Sequence, residues 1–159
     1  MSDGMREMMN PVRQVQEEVA RLLNEEPWFK AHNVEVIEQN KQALAYRLKT
    51  KLAAINHVLL VVGVDRIAND HTALEVEITI SCTEHVTTNR AKQGFVSAID
   101  ACQAAVQVID GEWWHFFTME HTTVDGEDIL QATANFKGLV NRAFLVNDET
   151  TKAATPEGE

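Results

Sequence analysis

Between Leu74 and Cys82 the chain reads LEVEITISC, in which Leu74, Val76, Ile78, Ile80 and Cys82 alternate with Glu75, Glu77, Thr79 and Ser81. Successive side chains of an extended strand point to opposite faces, so this period of two predicts a strand with one buried and one wet face. The run HVLLVVGV, residues 57 to 64, is continuously apolar after its first residue and rich in β-branched residues, which predicts a mid-sheet strand covered on both faces. DRIANDH separates the two strands, and Asn69-Asp70 suits a hairpin bend. A second hairpin is predicted in EWWHFFTMEHTTVDGEDILQATANFKGLV, turning around Asp125-Gly126, with Leu130, Ala132, Ala134 and Phe136 on one face of its second strand. NVEVIEQ alternates over a shorter span and predicts a short strand.

Helical spacing marks three further segments. After Pro11, Val12, Val15, Val19, Leu22 and Leu23 fall on one stripe, and Pro27 with Trp28-Phe29 ends that helix. In NKQALAYRLKTKLAAI, Leu44, Leu48, Leu52 and Ile55 recur every three or four residues. In GFVSAIDACQAAVQVIDG the spacing puts Phe95, Ile99, Cys102, Val106 and Ile109 on one face, and Gly111 stops the helix. Between strand and helix lies EHVTTNRAKQG, residues 84 to 94, a polar loop centred on Asn89 and Arg90.

The order predicts an α+β fold: a mostly antiparallel sheet of two hairpins plus a short strand, with helices packed mainly on one face. Residues 1–10, with Met5, Met8 and Met9, form a flexible lead, 11–146 a single domain, and 147–159 a flexible acidic tail without periodicity.

Composition narrows the function. A chain of 159 residues that is 45% apolar and 24% charged suits one globular domain, and its apolar runs are too short to span a membrane. MSDGMREMMNPV lacks the basic and apolar regions of a secretory signal, so a cytosolic chain is expected, with Cys82 and Cys102 as buried free thiols. A net charge of −10 disfavours general nucleic-acid binding.

Chemistry-bearing motifs are sparse. The seven glycines are scattered and no Lys-Ser or Lys-Thr pair closes a phosphate loop; neither Ser81 nor Ser97 has the flanking glycines of a nucleophile turn. No histidine pair has metal-site spacing, so no metal or cofactor is expected. His115 and His121 are read as lying on the same side of one strand about 20 Å apart, too far to share a metal. The outward pair Glu75 and Glu77 has the residue types for acid/base work, and also those of a solvated or subunit-facing edge. In Trp113-Trp114 and Phe116-Phe117, neighbours in a strand face opposite ways. One of each pair therefore needs a partner outside the domain's own core, unless both faces are covered; core closure and a subunit interface both fit.

The layout VEVIEQNKQALAYRLKTKL, then VLLVVGVDRIANDHTALEVEITISCTEHVTTNR, then a Gly-led alanine-rich helix and a closing hairpin, resembles the tail terminator and tail-completion proteins of long-tailed bacteriophages and prophages over roughly residues 10 to 145. The part that carries the resemblance best is the strand exit into the loop holding Asn89-Arg90; the acidic tail after residue 146 departs from it. The resemblance implies a non-enzymatic virion protein of the tail or neck, assembled in the bacterial cytoplasm into a homomeric ring, commonly a hexamer. Such a ring caps the tail tube protein, meets the head-tail connector and lets DNA pass without sequence-specific contact. It implies subunit contacts for Asn89, Arg90, Trp113, Trp114, Glu75 and Glu77, with Arg90 reaching a carboxylate of the next subunit. The alternative is a small ligand-binding protein or enzyme using His115, His121, Glu75 and Glu77.

Overall fold

A computed structural model describes residues 11–37, 56–70, 73–124, 126 and 128–141. The predicted helix over NKQALAYRLKTKLAAI and the two terminal segments lie outside them. Five strands form one sheet: β1 (Glu35–Ile37), β2 (Leu59–Asp70), β3 (Ala73–His85), β4 (Trp114–Val124) and β5 (Ile129–Asn141). Their order is β1-β2-β3-β5-β4, with β1 parallel to β2 and every other pair antiparallel. The helices are α1 (Pro11–Asn24), α2 (Pro27–Ala31), α3 (Val86–Arg90) and α4 (Ala98–Ile109). The predicted α+β class is the observed one.

The core lies between the sheet and α1 with α4. Val76, Ile78, Ile80 and Cys82 of β3 are fully buried, as their alternation requires, and Leu130, Ala132, Ala134 and Phe136 line up beside them on β5. Val15, Val19 and Leu23 supply the apolar stripe of α1; Val12 at its start is exposed. Each fully buried aliphatic side chain contributes about 1.5–3 kcal/mol relative to exposure. β2 is covered on both faces: Leu60 and Val62 join the helix-side core, while Leu59 and Val61 pack with Ile37 and Ile129 on the other side. Cys82 and Cys102 are buried free thiols within this core; burial pushes the Cys82 thiol up, and a hydrogen bond between the two thiols lowers that of Cys102.

Several local expectations are corrected. Pro27 does not end helical structure but opens α2, where its missing N–H costs nothing. DRIANDH is mostly strand: a bulge at Asp65 absorbs the polar break, and β2 runs on through Asp70. The segment 84–94 is only partly a loop, since Glu84 and His85 end β3 and Val86–Arg90 form α3. The buried stripe of α4 is Ala98, Ala101, Cys102, Ala105 and Ile109, so alanines rather than Ile99 and Val106 face the sheet, and Phe95 lies outside the helix and is exposed. Small side chains allow the helix to pack close, and the capping box of Ser97 and Asp100 fixes where it starts.

Trp114 is 3% exposed and lies across Gly138, its partner on β5. A Cβ on Gly138 would sit 2.5 Å from Trp114 Cε3 and 2.7 Å from the Trp113 carbonyl oxygen. Gly138→Ala should therefore destabilise the protein by about 1–3 kcal/mol through overpacking, read as a lower midpoint of urea denaturation; an unchanged midpoint would mean that Trp114 is free to move off the strand.

Candidate functional site

Glu84 occupies the next inward position of the β3 alternation after Cys82, and it is fully buried. Its Oε1 accepts from Asn89 Nδ2 at 2.8 Å and Arg90 Nε at 3.3 Å, and its Oε2 from Arg90 Nη2 at 3.1 Å and the Ala98 backbone N–H at 2.7 Å. Ala98 is the first residue of α4, so the carboxylate also caps a helix N-terminus, where the helix dipole favours an acid. Asn89 Nδ2 donates further to the Val96 carbonyl at 2.9 Å. Pairing with Glu84 raises the Arg90 pKa, and the guanidinium lies 5.5 Å from the Phe95 ring centre. The segment is tied on its other side as well: the Thr87 N–H donates to Asp128 Oδ2 at 2.8 Å, and the Val86 N–H donates to the Asp128 carbonyl. The hydrogen bonds from Thr87 hold the Asp128 carboxyl below its ordinary value, with smaller help from His85 and Arg90.

Asn89 and Arg90 thus have an intrachain role, holding the buried Glu84 carboxylate. Asn89 is fully buried, and Arg90 spends its bidentate contact on Glu84 of its own chain. Trp114 likewise belongs to the core. Glu84 was the member missed at the sequence level, although its phase after Cys82 marks it as inward.

The other three predicted residues, Glu75, Glu77 and Trp113, and their neighbours meet on the sheet face turned away from α1 and α4. Arg66 Nη1 donates to Glu75 at 3.0 Å and to Glu77 at 3.4 Å, so these acids face outward as an ion-paired set across β2 and β3. Beside them, Trp113 is 64% exposed, Leu139 54% and Phe117 48%. Lys137 Nζ lies 5.4 Å from the Phe117 ring centre, which puts both on this face. A hollow of about 280 Å³ is lined by Glu75, Glu112, Trp113, His115, Lys137, Gly138 and Leu139. Farther along, Asp65 accepts from Thr79 Oγ1, Thr79 Oγ1 lies 2.7 Å from the Asn135 amide, and that amide lies 2.8 Å from Thr118 Oγ1. This polar ladder crosses four strands. Phe117 is the member of the Phe116-Phe117 pair that faces outward, and Leu139, not singled out in the sequence, sits out of phase with Leu130, Ala132, Ala134 and Phe136, an apolar residue at an outward position.

His115 and His121 do not share a side. A bulge between Phe116 and Thr118 inserts one residue, so His115 opposes Lys137 on the outer face while His121 opposes Ala132 on the helix side. His115 and Glu75 line the hollow together; His121 is on the other side of the sheet. Among the described residues no cluster of His, Cys, Asp and Glu is arranged to hold a metal ion, and no helix is long and apolar enough to cross a membrane. No protein-family model matches the chain, and no curated protein matches it.

Two outcomes follow from the Glu84 network. Asn89→Ala removes two hydrogen bonds to buried acceptors and should cost about 1–3 kcal/mol of stability by urea denaturation without altering the mass in solution; altered assembly at unchanged stability would return Asn89 to an interface. Asp128 has a lowered folded pKa, so its charge stabilises the native state above its unfolded value, near 4, and that contribution is lost as pH falls through the folded value. The melting-temperature gap between the wild type and Asp128→Asn should accordingly be present at pH 6 and narrow steadily below about pH 4; a gap independent of pH would mean that the carboxylate charge does not hold the α3 turn.

Proposed function

We propose that this protein is a structural subunit of a phage tail or neck, a tail terminator that assembles into a ring capping the tail tube. The observation that carries the reading is the display of Trp113, Phe117 and Leu139 on the outer sheet face, opposite the helical layer. Large apolar side chains gathered at one place on a surface favour being covered by another protein. Glu75, Glu77, Arg66 and Lys137 form a charged border around them, which supplies orientation more than affinity. The sequence resemblance described above supports the reading, and the net charge of −10 suits a ring through which DNA moves without adhering.

The ligand-binding alternative retains one point in its favour, the hollow shared by Glu75, His115, Lys137 and Trp113. At about 280 Å³ it falls just below the range of ordinary small-molecule pockets. Its two named histidines are on opposite faces, so they cannot act on one ligand there.

Light scattering behind a sizing column, with and without purified tail tubes, tests the assembly reading. The expected result is a closed ring, or a monomer that becomes one on tubes, with Trp113→Ala and Leu139→Asp each weakening tube capture about tenfold or more while leaving the circular dichroism spectrum unchanged. A wild-type protein that stays monomeric and passes over tubes without binding would sink it.

A further inference from the structure

Among the described residues, the two edges of the sheet carry unpaired stretches that fit each other. In an antiparallel ladder every other residue turns both its N–H and its C=O to the same side, so the free groups of an edge strand can be assigned from any anchored member. On β4 the Trp114 carbonyl accepts from Gly111 N–H and the Phe116 N–H donates to Asp110, so these two residues point away from β5. Past the bulge at Phe117 the register places Met119, His121 and Thr123 in that outward phase. Asp110 and Gly111 cover only the start of the strand, and the stretch from Thr118 to Thr123 holds no Lys, Arg or Pro, the residues that commonly block an edge. On the opposite edge, the Val58 carbonyl points to β1 and the Val62 carbonyl accepts from Gln16, which sets the outward phase of β2. β1 pairs only with Leu59–Val61, and beyond the bulge at Asp65 the outward residues are Ile67 and Asn69.

We infer that the free edge of β4 pairs with the β2 edge of a second copy of this chain, so that the sheet runs on from subunit to subunit. This rests on the ring reading and names the contact that would make the ring. Three features select this occupant. The strands β2, β3, β5 and β4 alternate in direction, so a copy placed side by side sets β4 antiparallel to β2. The outward residues of both edges lie on the helix side, since His121 opposes Ala132 and Ile67 opposes Val76. Pairing them therefore keeps all helices on one face. Finally, the joined edges close. Met119 stands level with Val62 across the sheet, through Ala134 and Ile80, yet it must reach Asn69. That is a slide of about 20 Å along the strands for roughly 19 Å of sheet width per copy. The slope of about 45° is the upper end of the strand tilt of closed barrels. The contact is head-to-tail, using different surfaces on the two partners, and repeats until it closes.

Proline tests it, because it removes one N–H. His121→Pro and Ile67→Pro each delete an N–H facing outward, where an edge strand tolerates proline; Thr123→Lys is a second, side-chain block on β4. Each protein alone should keep the wild-type circular dichroism spectrum and lose the ring, by light scattering with tail tubes present. Mixed one to one, His121→Pro and Ile67→Pro should form a dimer through the one intact junction and go no further. If the wild type forms rings and all three variants do so equally well, the edge pairing is overturned and the ring reading stands. If Ile67→Pro self-associates while His121→Pro does not, β4 pairs with itself and the head-to-tail contact is overturned. A wild type that never assembles overturns both. Should a proline variant unfold, Thr123→Lys alone decides the β4 edge by the same readout.

Discussion

A buried carboxylate holds this fold's turning point. Glu84 lies near the end of β3 inside the core, and the four donors around it are the Asn89 amide and two of the three guanidinium nitrogens of Arg90, both residues of α3, and the backbone N–H of the residue that opens α4. A lone ionised acid is costly in such a place, and it is sustained only when its lone pairs are filled. That requirement forces three separate pieces of chain into one arrangement: the strand must stop there, Asn89 and Arg90 must lie on one turn of helix, and α4 must begin with its N–H groups aimed at the strand end. The direction of α4 over the sheet follows from that aim. Ala101, Cys102 and Ala105 then meet Cys82 and its neighbours, and the layer that buries the sheet is set.

Much of this was legible in the sequence because one face of each long strand is buried. Alternation in β3 and β5 names the inward residues without any structure, and the same alternation carried one step further marks Glu84. What alternation cannot supply is the position of a bulge. Asp65 and Phe117 each add one residue to a strand, and each reverses the faces of everything after it. His115 and His121, six apart, share a side in an unbroken strand and are divided in this one. The stripe of α4 departs for a different reason: Cys102 and Ile109 are buried as their spacing predicts, whereas close approach to the sheet selects alanines over Ile99 and Val106 for the rest of the buried face. For Asn89 and Arg90 the sequence showed that the segment mattered but could not show to whom, since a polar residue beside a helix start has the same composition whether its partner is within the chain or outside it.

The two faces of the sheet are under opposite constraints, and that asymmetry is the main argument for assembly. On the helix side the apolar core is covered and the buried acid Glu84 is satisfied, with Phe116 at the edge strand 37% exposed. On the outer side Asp65, Thr79, Asn135 and Thr118 form a hydrogen-bonded row, which lies between the buried group of Ile37, Leu59 and Val61 and the end near Trp113, where Trp, Phe and Leu are exposed. Among the described residues, no packing contact calls for those exposed side chains. Leu139 could be Thr at no cost to the core, since its neighbours on β3 and β4 are Glu75 and Trp113 at the surface. Exposed apolar groups there carry a standing risk of non-specific association, and the ion pairs of Arg66 with Glu75 and Glu77 border them without covering them. The same end of the molecule has the covered start of β4, so the uncovered edge and the apolar patch lie on adjoining parts of one strand. A partner that extended the sheet along β4 would therefore come to rest next to Phe117, joining backbone pairing and side-chain burial in one contact.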